Sequence, residues 1–257
     1  ELAIKDTEAR KRLVALFDDG VFTEIDAFAK SASGDVEVVV GFGTVNGAPA
    51  YAFSQDVTVN GGAVSVAQCA KIKKIYDLAT KTGCPVIGVY DSNGMNLKEG
   101  FEGLSAYGEI VKASSAVSGV VPQISVIAGA AVGTTALIAN MADIVIAVKG
   151  ADFYITAPSE VTAEESAKEG TVDITAEDYD SAVKAVRDLL TLLPSNNLST
   201  PPVYDFSEPA ASADTGASAA EIINASADAG SVVELKAAYA ENVVTALGSV
   251  AGSAVGF

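Results

Sequence analysis

The stretch VIAGAAVGTTALIANMADIVIAV, residues 126–148, joins an apolar run to a glycine turn and a helix-like segment of small residues. Gly129 and Gly133 mark the turn. A glycine turn between a buried strand and a helix can cradle a phosphate, form an oxyanion hole, or let the helix pack closely on the strand. The stretch lacks the lysine and the GxxxxGK[ST] spacing of a P-loop, which argues against a nucleoside triphosphate as its ligand.

A second buried strand with a glycine turn precedes this one at CPVIGVYDSNG, residues 84–94. Just before it, residues 66–83 carry apolar side chains at helical spacing and predict an amphipathic helix. Further upstream, residues 36–56 alternate β-branched and small residues around Asn46-Gly47, which predicts an antiparallel hairpin. Buried strands that alternate with helices indicate an α/β fold with layered sheets wound by helices.

The pattern GFGTVNG, residues 41–47, superficially resembles a dinucleotide-binding loop. Its spacing is GxGxxxG, and the residues that follow it are strand-like. A Rossmann loop must lead into a helix whose amino terminus faces the pyrophosphate, so we reject the dinucleotide interpretation.

The composition excludes several classes of function. The formal charge of −17 would repel the phosphates of a nucleic acid. No histidine is present, which removes Ser-His-Asp and Cys-His nucleophile systems and HExxH zinc sites. Cys69 and Cys84 lack CxxC spacing, so we expect buried free thiols and no metal site. No apolar run reaches the ~18–20 residues of a membrane span, and we expect none.

Two further helices are predicted on either side of this central part. Residues 6–20 are typical of a helix capped by Asp6 or Thr7. The acidic segment at 163–178 is expected to be exposed and weakly structured. Thr175, at its end, is expected to cap a helix with one apolar stripe that packs on the core.

The last part of the chain repeats its beginning. Gly43 and Gly47 recur as Gly248 and Gly252, each 205 positions later (248 − 43 and 252 − 47). An internal repeat of this kind indicates two homologous units. The predicted organisation is a domain at 1–193, a linker at 194–220, and the incomplete start of a second homologous domain at 221–257.

Four segments together carry a resemblance to a known family. The chain resembles the beta-type carboxyltransferase component of biotin-dependent acyl-CoA carboxylases and decarboxylases, a branch of the ClpP/crotonase-like superfamily. The resemblance implies a crotonase-like ββα spiral that binds acyl-CoA, paired with a second domain that receives biotin. The four segments are GFGTVNGAPAYAFSQDVTVNGGA (41–63), KIKKIYDLATKTGCPVIGVYDSNG (71–94), SGVVPQISVIAGAAVGTTALIANMADIVIAV (118–148) and LLTLLPSNN (189–197).

The resemblance implies an enzyme that moves a carboxyl group between carboxybiotin and an acyl-CoA. It implies biotin on a carrier protein as cofactor, acyl-CoA as substrate, and no metal. The implied partners are the biotinyl carrier protein and a second carboxyltransferase domain or subunit, in a cytoplasmic homo- or hetero-oligomer. Two alternatives stay open: a crotonase-type hydratase or isomerase using Glu99 or Glu109, and a catalytically degenerate scaffold subunit of a carboxylase.

The resemblance also implies roles for particular residues. Each role has a structural alternative: close packing at the two glycine turns, a plain turn at residues 61–63, and a charged outer helix face for the lysines. The expected oxyanion hole uses backbone N–H groups at Gly94, Met95, Gly133 and Thr134. The expected contacts to coenzyme A are Gly61, Gly62 and Ala63 for adenine or pantetheine, and Lys71 and Lys74 for the phosphates.

Three segments depart from the family pattern. Residues 94–100 read GMNLKEG, where the family usually has GARIQEG. Thr134 stands where the family usually has a second glycine. Residues 153–160, FYITAPSE, lead into a short acidic stretch in place of the family's glycine- and histidine-bearing segment.

Overall fold

The computed structural model describes residues 4–31, 34–156, 161–210 and 212–257. The predicted segment after Pro158 lies in part outside these residues. The helices are α1 (Glu8–Leu16), α2 (Val66–Thr82), α3 (Gly100–Val117), α4 (Thr134–Ala139), α5 (Ala163–Lys168), α6 (Tyr179–Leu192) and α7 (Ala219–Ser226). The strands are β1 (Phe22–Glu24), β2 (Lys30–Ser31), β3 (Gly34–Asp35), β4 (Val38–Val45), β5 (Ala48–Gln55), β6 (Val86–Ser92), β7 (Gln123–Val132), β8 (Ile144–Val148), β9 (Asp152–Tyr154), β10 (Ile174–Ala176), β11 (Val233–Leu235), β12 (Thr245–Val250) and β13 (Ser253–Gly256).

The main sheet has the strand order β1-β4-β5-β6-β7-β8-β10, with β9 paired to the end of β7. Strand β4 pairs antiparallel with β1 on one side and with β5 on the other. The remaining pairs of this sheet are parallel: β5–β6, β6–β7, β7–β8, β7–β9 and β8–β10. Parallel strands need helical crossovers, and the helices cover both faces. The sheet therefore separates two buried apolar clusters, one beneath α2 and α3 and the other beneath α1 and α6.

Helix α2 shows how local sequence sets an element's ends. The Ser65 hydroxyl accepts a hydrogen bond from the Gln68 N–H at 3.1 Å, which caps the first turn. Gly83 ends the helix in the left-handed conformation, φ +67°. Between them Ile72, Ile75 and Ala79 are buried, as the helical spacing predicts.

Strand β7 changes its pairing partner along its length, from β8 at residues 124–127 to β9 at residues 130–132. The β6–β7 register shifts between Tyr90 and Ser92. The Asp91 carboxylate fills this irregularity and accepts a hydrogen bond from the Ala130 N–H at 3.2 Å. A Cβ on Gly129 would overlap that carboxylate, so Gly129 serves close packing, which is one of the three roles open to the turn.

The predicted hairpin is confirmed, and it is held by a carboxylate. Asn46 and Gly47 adopt φ values of +51° and +77°, as a tight hairpin turn requires. The Asp18 carboxylate accepts hydrogen bonds from both backbone N–H groups, at 3.0 and 2.8 Å.

The sheet of β11, β12 and β13 reproduces this hairpin in detail. Ala251 and Gly252 have φ values of +49° and +77°. The Asp228 carboxylate accepts their N–H groups at 3.0 and 2.8 Å. This agreement supports the internal repeat, and the domain boundaries at 193 and 221 remain a prediction.

Two predicted elements differ from the observed ones. Asp178, not Thr175, caps α6, because its carboxylate accepts the Ser181 N–H at 2.8 Å while Thr175 lies in β10. The acidic segment at 163–178 is also more ordered than expected. It contains α5, which begins with a reciprocal capping box formed by Thr162 and Glu165. This helix buries small side chains.

Candidate active site

The two glycine turns lie side by side. We call residues 92–96 turn 1 and residues 132–135 turn 2. They follow β6 and β7, which are adjacent parallel strands, so both turns open at the carboxyl edge of the sheet. An added Cβ on Gly94 would stand 3.6 Å from the Val132 carbonyl oxygen, which shows how near the two turns are. Ligands of parallel α/β sheets bind at this edge.

Turn 1 is fixed by its neighbours on both sides. The Ser92 hydroxyl accepts a hydrogen bond from the Gly94 N–H at 3.1 Å. Val64 bridges the turn: its N–H donates to the Gly94 carbonyl at 2.8 Å, and its carbonyl accepts the Asn96 N–H at 3.0 Å. Met95 lies between these bonds, and its N–H has no partner among the described residues.

Turn 2 is fixed mainly through backbone groups. The Gly133 N–H donates to the Tyr154 carbonyl in β9 at 2.9 Å. Gly133 has φ +63° and ψ −132°, a conformation that L-residues rarely adopt. The Thr134 N–H, which follows, has no hydrogen-bond partner within the described part of the chain.

The same arrangement therefore occurs in both turns. Each glycine supplies the unusual backbone angle and uses its own N–H internally, while the next residue leaves an N–H free. Of the four residues proposed for an oxyanion hole, Met95 and Thr134 have available donors, whereas the donors of Gly94 and Gly133 are engaged. Backbone donors aimed at one point can bind an oxygen that gains negative charge, and the two turns lie close enough for these donors to serve one ligand atom.

The surface beside the turns is apolar and open. Leu97 and Phe101 stand next to turn 1 and are 79% and 89% exposed. A cavity of about 260 Å³ adjoins turn 2, with Tyr154, Ala136 and Asn140 in its wall. Apart from its chain neighbours, no atom of the described residues stands within 4 Å of the position a Gly133 Cβ would take.

Gly61, Gly62 and Ala63 lie next to turn 1, because Val64 bonds directly to it. Gly62 has φ +67°, and an added Cβ would overlap the Asp91 carbonyl. This glycine is thus needed for the close approach of β6. The Gly61 carbonyl accepts the Asn93 N–H at 3.2 Å. Whether coenzyme A also uses these residues stays a prediction.

Lys71 and Lys74 have different environments. Their predicted shared outer face is wrong for Lys71, which is 5% exposed and donates from Nζ to the Val38 carbonyl at 3.0 Å. Desolvation lowers the pKa of Lys71 from its ordinary value of 10.5 to about 8. Lys74 is exposed and pairs with Asp26 at 2.8 Å. Lys71 borders a cavity of about 350 Å³ that Arg10 also lines.

The two carboxylates considered for hydratase chemistry do not converge on the turns. Glu99 accepts the Val66 N–H at 2.6 Å and so joins the end of turn 1 to the start of α2. Glu109 is exposed on α3. The Cys69 and Cys84 thiols are free and buried, as predicted, and burial raises the pKa of Cys69 to about 12.

Sequence analysis missed the side chains that support the turns. Asp91 pairs with Arg12 at 2.7 Å, and its own N–H donates to Gln55 at 3.1 Å. A charged residue at the end of an apolar strand was the signal for such a buried partner. Tyr107, which the sequence left without a role, is bonded to Thr135 in turn 2 at 3.0 Å.

Within the described ranges, no group of three or more His, Cys, Asp or Glu side chains could hold a metal ion. Within the same ranges, every helix is too short or too polar to cross a membrane.

Comparison with known proteins gives consistent relatives. Residues 6–257 match the model of a family described as the carboxyl transferase domain. The chain is 33% identical to the methylmalonyl-CoA decarboxylase alpha subunit of Veillonella parvula, over 96% of this chain and 56% of that protein. It is 35% identical to the propionyl-CoA carboxylase beta chain of Roseobacter denitrificans, with the same two shares.

A solved structure agrees with these sequence relatives. The transcarboxylase 12S hexamer with methylmalonyl-CoA and methylmalonic acid bound matches with a TM-score of 0.90 and 33% identity. The match covers 96% of this chain and 55% of that one. The chain thus spans about half the length of the relatives it matches.

Proposed function

Because the chain belongs to the carboxyl transferase domain family, we propose that it moves a carboxyl group between carboxybiotin and an acyl-CoA thioester. The observation that supports this most strongly is the pair of free N–H groups, Met95 and Thr134, on adjacent turns. The chain spans about half of its relatives, so we propose that a second carboxyltransferase domain or subunit completes the site.

The proposed role of the two turns is to bind the thioester oxygen. When this thioester loses its α-proton, negative charge develops on the oxygen, and two fixed donors stabilise it. One such donor contributes about 10²- to 10³-fold in rate. When bound, carboxybiotin supplies the carboxyl group and a ureido group that takes the α-proton. The chain then needs no imidazole base, which agrees with its lack of histidine.

The substrate class follows from the relatives and the surroundings of the turns. Two relatives are named for propionyl-CoA and methylmalonyl-CoA, so we propose a short acyl-CoA. Gly61, Gly62 and Ala63 lie where pantetheine could approach turn 1. Lys71 and Lys74 stay the proposed phosphate contacts, and each would have to exchange a partner: Lys71 is buried on the Val38 carbonyl, and Lys74 pairs with Asp26.

The proposed partners are a biotinyl carrier protein and the second carboxyltransferase unit, in an oligomer. The exposed apolar side chains of Leu97, Phe101 and Leu104 beside turn 1 support a protein neighbour there. We place the protein in the cytoplasm, and the two free, buried thiols fit a reducing compartment.

Two measurements test the proposal in turn. Isothermal titration with acetyl-, propionyl- and malonyl-CoA should detect one binding site per chain, and weak affinity is expected. Absence of heat with all three would overturn acyl-CoA binding. Decarboxylation of malonyl-CoA with free biotin should be slow for this chain alone. Robust turnover would show that no second unit is needed, and biotin-independent hydration of an enoyl-CoA would favour the hydratase alternative.

A further inference from the structure

A buried hydrogen bond joins the helix after turn 1 to the helix that begins in turn 2. The Tyr107 hydroxyl in α3 and the Thr135 hydroxyl in α4 are 3.0 Å apart. Both residues are almost completely buried, at 2% and 1% exposure. In such surroundings a hydrogen bond has a fixed partner and a strong preference for one geometry, since neither hydroxyl can turn to water.

This bond acts on the position of a catalytic donor. Thr135 directly follows Thr134, whose N–H is one of the two donors that we propose for the oxyanion hole. Among the described residues, the Tyr107–Thr135 bond is the one side-chain hydrogen bond that connects α4 to another element. Gly133 has no side chain with which to cap the helix, so the backbone bond from Gly133 to Tyr154 and the Tyr107–Thr135 bond are the hydrogen bonds that tie this end of α4 to other elements of the described residues.

The bond also connects the two donors with each other. Helix α3 starts at Gly100, directly after the short helical turn Leu97–Glu99 that closes turn 1. Tyr107 lies two turns into α3, and Met95 packs against the same helix at Gly103, where an added Cβ would be 3.6 Å from its sulfur. A shift of α3 relative to α4 would therefore change the separation of the Met95 and Thr134 N–H groups.

We propose that Tyr107 and Thr135 are positioning residues of the oxyanion hole, which set the spacing of its two backbone donors. The inference rests on the proposed function, because the donors matter only if they bind a thioester oxygen. Both side chains are buried beneath the turns, so we assign them no direct contact with substrate. Their effect is on alignment, and a donor displaced by about 1 Å can cost on the order of 10²-fold in rate.

The test uses Tyr107→Phe and Thr135→Val, which remove the bond and keep the shape. A matched control is Ser114→Ala, because Ser114 makes a comparable buried hydrogen bond from α3 to Gln123 at 2.7 Å, at the opposite end of β7 from turn 2. Thr135→Ser keeps the hydroxyl and should restore the wild-type behaviour. Thermal unfolding of all four variants shows that each one folds.

The readout is the infrared frequency of the thioester carbonyl in bound propionyl-CoA labelled with ¹³C at that carbon. Two aligned donors lower this frequency relative to free ligand. Tyr107→Phe and Thr135→Val should lose roughly half of the lowering, as one donor of two loses alignment. Propionyl-CoA affinity should change less than about threefold, because both substituted side chains are buried and a change in donor alignment affects the thioester oxygen alone.

The outcomes separate the inference from the proposed function. If Tyr107→Phe and Ser114→Ala give the same frequency as the wild-type chain, the positioning role is wrong and the proposed oxyanion hole is unaffected. If wild-type protein binds propionyl-CoA without lowering the frequency, the oxyanion hole itself is wrong and the inference falls with it. If the carbonyl frequency is lowered less in Tyr107→Phe but as in the wild-type chain in Ser114→Ala and Thr135→Ser, the result supports both the oxyanion hole and the positioning role.

Discussion

Turn 1 and turn 2 both engage the N–H of their glycine, but with different kinds of acceptor. Turn 1 engages its glycine N–H with a side chain, the Ser92 hydroxyl, and turn 2 engages its own with a backbone carbonyl, that of Tyr154. In both, the following residue keeps a free N–H. In each turn the glycine supplies the unusual backbone angle, which we call the hinge, and the next residue has the N–H that is available to a ligand.

The comparison also changes the meaning of Thr134. A backbone donor does not depend on the side chain of its own residue, so a threonine can donate as well as the glycine that the family usually has. The Thr134 side chain instead takes up room next to its own N–H, where a ligand would approach. The difference from the family pattern therefore bears on how closely a ligand approaches, not on whether a donor is present.

The largest effect is expected for Thr134→Pro, which removes the donor of turn 2. Proline fits the first position of a helix, so α4 should still form. Any turnover of acyl-CoA should fall about 10²- to 10³-fold. The lowering of the thioester carbonyl frequency should fall by about half. Thr134→Ala keeps the N–H and is the control, and an equal loss in both variants would contradict the assignment of the donor.

A smaller effect is expected when either hinge glycine receives a side chain. Gly133→Ala and Gly94→Ala meet no steric clash with the described residues, since beyond their chain neighbours the added Cβ atoms would have no neighbour there closer than 3.6 Å. The positive φ values, +63° and +102°, make the strain purely conformational, about 1–3 kcal/mol each. Both variants should lower the melting temperature and reduce the shift in carbonyl frequency.

Gly230→Ala provides the control for this strain. Gly230 has φ +73°, and beyond its chain neighbours its added Cβ would also meet no atom within 4 Å in the part of the chain that the structure describes. It precedes β11, outside both turns. A similar loss of stability with an unchanged carbonyl frequency is expected. If Gly230→Ala altered the frequency as much as Gly133→Ala, the effect would be global and not a property of the turn.

The smallest effect on the turns is expected at Lys71, whose cavity has no described residue of either turn in its wall. Its pKa of about 8 lies below the ordinary 10.5, so the charged amine destabilises the fold below pH 8. This penalty fades as the pH rises from 8 to 10.5. Lys71→Met should be more stable at pH 7 by about 1–3 kcal/mol.

Urea unfolding of both proteins across this pH range checks the sign. The difference in free energy of unfolding should shrink between pH 8 and 10.5. A difference that stays constant with pH would show that the amine is not the source.

The sequence predicted the architecture well because the signals were local. Strand, turn and helix order, the Asn46-Gly47 hairpin and α2 follow from periodicity and glycine placement, and the crotonase-like α/β fold is confirmed by the match to transcarboxylase 12S. The cap of α6 was misplaced because Thr175 and Asp178 are both good capping residues and pairing with β8 decides between them.

The site was predictable to the level of the turns and no further. Glycines reveal where the backbone is unusual, but which N–H stays free depends on partners distant in sequence, such as Tyr154 for Gly133. Lys71 was wrongly predicted to be exposed for the same reason. Helical spacing shows which residues share a face of α2, but it does not show which elements pack against that face. Tyr107 and Thr135 are 28 positions apart, and only the fold brings them together.

The most direct test of the central claim is a crystal structure of the chain with propionyl-CoA. The account predicts that the thioester oxygen lies within hydrogen-bond distance, roughly 2.7–3.2 Å, of the backbone nitrogens of both Met95 and Thr134. A thioester oxygen bound away from both nitrogens, with the two N–H groups facing solvent, would contradict it.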